Sequence, residues 1–214
     1  MPQVQPPTFV ITGTDTEIGK TVASAMLTLA LQAIYWKPVQ SGTEDVTDTL
    51  RVRQLTGLPD SHFLPEKYVL KNPLSPHRSA ELDGAEIDPD TLTLPHTKRT
   101  LLVEGAGGLM VPLTRQHLFI DVFAKWQKPV ILCARTGLGT INHTLLSIEA
   151  LKQRGIPLHG LIFIGPDNAD NMRTIADFSG VRILGHVPRM EAVNSTTLQK
   201  TFAERFKSED FSAP

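Results

Sequence analysis

Residues 13–21 read Gly13-Thr14-Asp15-Thr16-Glu17-Ile18-Gly19-Lys20-Thr21, with two glycines, one lysine and several hydroxyls close together. Between a strand and a helix, such a loop can aim backbone N–H groups at phosphate. It can add a helix N-terminus, a long cation and a hydroxyl for Mg²⁺. Gly19 lets the backbone approach, Lys20 can reach β- and γ-phosphates, and Thr21 can ligate the metal. The common phosphate-loop spacing has four residues between the first glycine and Gly-Lys-Ser/Thr. Five stand here, because Thr14 occupies the place of the expected glycine. The flanks fit the reading. Residues 8–12 form an apolar, β-branched run, and Val22, Met26, Leu29 and Ala33 recur at helical spacing.

One hydroxyl does not hold Mg²⁺ by itself; carboxylates near strand ends usually help, with phosphate oxygens and water completing the octahedron. Glu104 directly follows the strand-like run Leu101-Leu102-Val103 and precedes Gly105-Ala106-Gly107-Gly108. The spacing predicts it at the C-terminal edge of a strand, beside glycines that admit a phosphate. Asp48 opens a segment that can be helical over 48–57, so it reads equally as a metal acid or as a helix N-cap. In Lys37-Pro38-Val39-Gln40-Ser41-Gly42 a cation follows an extended segment and a hydroxyl comes four residues later. A lysine there can offset the charge that builds during phosphoryl transfer, though by itself it reads first as a solvated surface cation.

The elements that must position these groups alternate along the chain. Strands are predicted at 8–12, 100–103, 129–134, 159–164 and 181–187, with a further extended piece over 35–39. Helices are predicted over 19–33, 48–57, 119–127, 140–154 and 170–178. Residues 58–97 carry six prolines and read as loop with short helical pieces. Alternation of this kind implies an α/β fold, P-loop NTPase-like, with a mostly parallel sheet and helices on both faces. Ligands then gather beyond the carboxyl ends of the strands. A single domain is expected over 8–214, preceded by a frayed tail at 1–7 without signal-peptide features. The net charge of −1 gives no general attraction to nucleic acid or an anionic membrane. The single cysteine, Cys133, lies in an apolar run and reads as a core residue, which fits a cytoplasmic protein. Leu198, Phe202 and Phe206, spaced four apart amid mixed charge, read as a packing face.

Taken together these blocks resemble the dethiobiotin synthetase family. The resemblance rests on residues 13–21 with their unusual spacing, on residues 37–42, and on Ser75-Pro76-His77, Val103-Glu104-Gly105-Ala106-Gly107-Gly108 and Leu138-Gly139-Thr140-Ile141-Asn142-His143. It spans roughly residues 8 to 188 in the family's order. The resemblance implies that 7,8-diaminononanoate captures CO2 as a carbamate and that ATP phosphorylates it. The second amine then closes the cyclic urea, leaving ADP and phosphate. It implies Lys37 and Lys20 as catalytic cations and Thr21, Asp48 and Glu104 as Mg²⁺ ligands. It maps ATP contacts onto Thr16, Glu17, Ile18, Gly19, Lys20, Thr21 and Val22, then Glu104, Gly105, Ala106, Gly107 and Pro188. Substrate contacts map onto Ser41 and onto Leu138, Gly139 and Asn142, the last three reaching across a homodimer interface.

The chain departs from that pattern in three places. The connection into Tyr35-Trp36-Lys37 is several residues shorter than in better-known members, so a truncated second strand is expected. Ile164 stands where an adenine-binding asparagine is often found, with Asn168 four residues on, which predicts a relaxed preference for ATP over other nucleoside triphosphates. Arg189, after Pro188, is unusual near a base. Two rivals are weaker. A P-loop carbon–nitrogen ligase with its own glutaminase needs a cysteine nucleophile, and Cys133 sits in a strand. A partition-type ATPase switch commonly has a second lysine early in the phosphate loop, where this chain has Thr14, Asp15 and Thr16.

Overall fold

The computed structural model describes residues 6–43 and 46–212. Most of the tail expected over 1–7 lies outside them, and Pro7 already belongs to the fold, its carbonyl accepting from Leu101 N at 3.0 Å. The chain runs β1 (Thr8–Gly13), α1 (Lys20–Ala30), β2 (Ile34–Trp36), β3 (Val39–Ser41) and α2 (Asp48–Thr56). It continues through β4 (Phe63–Leu64), β5 (Tyr68–Leu70), α3 (Pro76–Asp83), β6 (Leu101–Gly108) and α4 (Phe119–Trp126). Then follow β7 (Val130–Arg135), α5 (Thr140–Gln153), β8 (Leu158–Ile164), α6 (Ala169–Ser179), β9 (Ile183–Val187) and α7 (Ser195–Arg205).

Seven strands form one parallel sheet in the order β4-β2-β6-β1-β7-β8-β9. Strand periodicity sorts its side chains into two layers. Phe9, Ile11, Leu102, Ile131 and Ile162 pack with Met26, Val52 and Phe202 under α1, α2 and α7. Val10, Leu132 and Phe163 pack with Phe123, Ile148 and Ile175 under α4, α5 and α6. Cys133 is fully buried, and that burial pushes its thiol up to about 12. Leu198, Phe202 and Phe206 are all buried, as the packing reading of that face requires. Among the described residues no helix is long and apolar enough to cross a membrane.

The expected elements appear, α7 is found beyond them, and three stretches differ from expectation. The extended piece over 35–39 breaks in two at Lys37–Pro38, because proline has no N–H to continue the ladder and fixes its own φ. β2 stays beside β6 in the main sheet and is only three residues long, while β3 leaves it to pair with β5 in a small second sheet. The proline-rich 58–97 region therefore holds short strands as well as helical pieces. Last, β6 runs through its glycines to Gly108, where it pairs with Gly13, so Glu104 stands in mid-strand rather than at an edge.

Candidate active site

β1 lies inside the sheet, and the chain leaving its C-terminal end wraps into the loop ahead of α1. Thr14 N still donates to Cys133 O at 3.0 Å, so the bonding to β7 continues one residue past the end of β1. Glu17 (φ 55°) and Gly19 (φ 95°) then turn the chain into α1 through left-handed conformations. Arg135, at the end of β7, donates to Thr16 O at 2.8 Å and pairs with Asp15 at 3.5 Å, tying the loop to the sheet. Lys20 Nζ reaches back across the loop to Asp15 O at 2.9 Å. Its burial holds its pKa below the ordinary lysine value, outweighing the attraction of Glu104.

Beside this loop sits a buried polar cluster that sheet register assembles. Tyr35 and Lys37 are two apart in sequence and project to one side, while Tyr35 pairs with Leu102 and Trp36 with Val103. The next partners along, Lys37 and Glu104, therefore meet. Lys37 Nζ lies 3.1 Å from Glu104 Oε1, 2.8 Å from Asp48 Oδ2 and 2.9 Å from Gly105 O, so its three protons face three acceptors. Lys37 is 3% exposed, which removes the surface-cation reading. Burial alone would lower its pKa, but Glu104 and Asp48 override that and hold it above the usual lysine value.

Thr21, in the first turn of α1, closes the cluster. Its Oγ1 is 2.7 Å from Asp48 Oδ1 and 3.2 Å from Glu104 Oε1. Asp48 is not the cap of α2, since Thr47 Oγ1 takes Leu50 N at 3.3 Å. Its carboxylate is free to turn inward. There, burial would raise its pKa, but Lys37 wins and keeps it below the ordinary aspartate value. One hydroxyl with two carboxylates each within hydrogen-bonding distance of it forms a hard oxygen set that suits Mg²⁺, with phosphate and water left to fill the remaining positions.

Two cavities flank the phosphate loop and share Glu17 as a wall. One, of about 470 Å³, is lined by Lys37, Ser41, Asp48, Ser75 and Gly107. Among the described residues Ser41 Oγ is buried there without a hydrogen-bond partner. Gly42 (φ 81°) lets the segment after Pro73 close over this side, since a Cβ at Gly42 would stand 3.1 Å from Pro73 Cβ. The other cavity, of about 550 Å³, is lined by Gly19, Val22, Ile164, Pro188, Arg189 and Met190. Thr16 and Ala106 face the first cavity and Ile18 the second.

Leu138, Gly139 and Asn142 line neither cavity; they lie exposed at the turn from β7 into α5. Asn168 does not replace the missing base reader, because its amide caps α6 through Asn171 N and donates to Thr136 O at 3.1 Å. Sequence reasoning missed three residues at the site. Tyr35 donates to Glu104 Oε2 at 3.1 Å, Arg135 anchors the loop, and Gln40 Oε1 accepts Asp48 N at 3.1 Å. Burial raises the Tyr35 pKa well above the ordinary phenol value, and Glu104 adds to that. The i, i+2 spacing of Tyr35 and Lys37 was the available signal for the first.

Sheet order, phosphate loop and buried cation–acid cluster together define a P-loop nucleotide-binding protein of the ParA and MinD fold type. A ParA family ATPase from Chlorobium tepidum TLS superposes with a TM-score of 0.59 at 12% identity, covering 94% of this chain and 97% of that one. MinD from Pyrococcus horikoshii OT3 superposes at 0.58 with 14% identity, over 94% and 96%. At such identities the likeness concerns the fold alone. A family model described as AAA domain matches residues 7–197. The ATP-dependent dethiobiotin synthetase BioD of Brucella anthropi is 57% identical over 199 residues, 93% of this chain and 94% of the relative. The same enzyme from Agrobacterium fabrum is 55% identical over 203 residues, 95% and 96%. The chain belongs to the dethiobiotin synthetase family and is an ATP-dependent ligase.

Proposed function

We propose that this chain is a cyclo-ligase that uses ATP and Mg²⁺ to join CO2 to 7,8-diaminononanoate and close the cyclic urea dethiobiotin. The observation that carries the reading is the pair of cavities meeting at the phosphate loop, with Lys37 and Ser41 lining one and Val22, Ile164 and Pro188 lining the other. The base takes the Ile164 side, the phosphates cross the loop, and the diamine takes the Lys37 side.

One amine adds to CO2 and loses a proton, giving a carbamate. A carbamate oxygen then attacks the γ-phosphorus as the bond to the ADP oxygen breaks, giving a carbamic–phosphoric anhydride. The second amine attacks the carbonyl carbon, expels phosphate and sheds its proton. Two anions must meet in the phosphoryl step, so cations have to offset their repulsion. Lys20 leaves Asp15 O for the β- and γ-oxygens. Lys37, held charged by Asp48 and Glu104, faces the transferring group, and Ser41 Oγ orients the carbamate. Thr21, Asp48 and Glu104 would hold Mg²⁺, which supplies charge neutralisation at the phosphates.

The turn at Leu138, Gly139 and Asn142 lies outside its own chain's cavities and is assigned to a partner's diamine site in a homodimer. A single domain in the cytoplasm, with its one cysteine sealed in the core, fits this chemistry. The test is incubation with the diamine, bicarbonate, Mg²⁺ and ATP, followed by mass spectrometry for dethiobiotin. Product and diamine-dependent phosphate release are expected; equal phosphate release with and without diamine would instead indicate an ATPase switch. Lys37→Gln should lower kcat by about 100-fold or more while ATP affinity stays nearly unchanged.

A further inference from the structure

We infer that Tyr35 is a positioning residue for the divalent-cation site, its hydroxyl locking the Glu104 carboxylate in the orientation that presents Oε1 to Thr21. The inference rests on the reading of Glu104 as a metal ligand. The two oxygens of Glu104 are divided: Oε1 faces Thr21 Oγ1 at 3.2 Å and Lys37 Nζ at 3.1 Å, whereas Oε2 takes the Tyr35 hydroxyl at 3.1 Å. The terminal torsion of a glutamate has broad minima, so a carboxylate held at one oxygen can still swing about that contact. A donor on the second oxygen stops the swing, provided the donor itself cannot move.

Tyr35 meets that condition. It is fully buried on β2, a strand hydrogen-bonded on both sides, and its ring packs in the layer that includes Ile11, Met26, Val52 and Leu102. The same two-residue alternation that delivers Lys37 to Oε1 delivers Tyr35 to Oε2. One short strand thus sets both oxygens of one acid. A buried tyrosine needs a partner for its hydroxyl in any case. A purely structural hydroxyl would choose any acceptor, however, and this one is spent on the acid that faces Thr21 and Lys37. Groups that orient a metal ligand typically govern metal affinity about 10–100-fold.

The experiment is Mn²⁺ titration of the protein saturated with ADP, read by electron paramagnetic resonance. Tyr35→Phe, which removes one oxygen and keeps the ring, should weaken Mn²⁺ binding about 10-fold while metal-free ADP affinity is unchanged. Glu104→Gln should weaken it further, and adding Tyr35→Phe to Glu104→Gln should cost nothing more. If Glu104→Gln leaves Mn²⁺ affinity intact, the metal role of Glu104 fails and the inference falls with it. If Glu104→Gln weakens binding but Tyr35→Phe does not, or the two effects multiply, the positioning role alone is overturned. A second measurement leaves Tyr35 in place. The chain has two tyrosines, so 3-fluorotyrosine labelling gives two ¹⁹F resonances, assigned by Tyr68→Phe. Adding Mg²⁺ to the ADP complex should shift the Tyr35 resonance, and a resonance that stays put overturns the inference even if the phenylalanine variant does not fold.

Discussion

Ile164 shows how one side chain can decide what a pocket discriminates. It forms a wall of the second cavity and leans on the phosphate loop, its Cγ2 2.9 Å from where a Cβ on Gly19 would stand. With Asn168 committed to capping α6, a base in this cavity would meet Ile164, Val22 and Met190, none of which offers a strong side-chain hydrogen bond, and the polar side chains of the lining are Glu17, Arg135, Thr136 and Arg189. Apolar pockets separate ligands by only about 10–200-fold, whereas sites built to pair a polar group reject analogues by about 10⁴ or more. The expected outcome is that GTP or CTP replaces ATP with a loss in kcat/KM within about 100-fold, measured as dethiobiotin formed in competition assays. Ile164→Asn should sharpen the preference for ATP. A native preference near 10⁴ would mean that backbone groups or Arg189 read the base instead.

At the scale of elements, the phosphate loop depends on the join between Gly19 and α1. Gly19 is the residue before the helix, at φ 95°, a conformation that costs an L-residue about 1–2 kcal/mol. Gly19→Ala adds the contact with Ile164 to that cost, so the loop must shift away from β8. The variant should unfold at lower denaturant concentration and bind ATP more weakly, both measurable by fluorescence titration; undiminished ATP affinity would show that the loop does not need this backbone. Gly19, Lys20 and Thr21 were legible because strand, loop and helix carry distinct patterns: an apolar β-branched run, a glycine, then helical periodicity. The glycines of β6 have no side-chain pattern, so that strand was read as ending at Val103, and only backbone pairing with β1 shows it reaching Gly108. The β3–β5 pair was hidden for a related reason, as three-residue strands among prolines are too short to display a period. Asp48 is ambiguous in the sequence because helix caps and metal ligands draw on the same residue type, and Thr47 beside it removes the cap reading by taking that place. Tyr35 stands in the sequence only as part of an extended piece, since periodicity reports the side a residue faces and not what its hydroxyl touches.

At the scale of the whole molecule, the face bearing Leu138 is hard to explain for a monomer. Leu138 stands between Gly137 and Gly139 and is fully exposed, and Leu146 on α5 is 62% exposed. Asn142, Leu146 and Glu149 fall at i, i+4 and i+7, one exposed stripe of α5 continuing from the Leu138 turn and covered by none of the described residues. Leucines left in water forgo the free energy their burial would bring, about 25 cal/mol per Å² of apolar surface. A two-fold pairing through this stripe would bury both copies at once, and the dimer proposed above assigns each turn to the partner's diamine site. Leu138 lies in neither cavity of its own chain, which separates the possible effects of changing it. Leu138→Asp should move the protein from dimer to monomer in sedimentation velocity and raise KM for the diamine, while ATP binding in the same chain is retained. An unaltered chain that sediments as a monomer at micromolar concentration and still makes dethiobiotin at full rate would show that each subunit's diamine site is complete without the other.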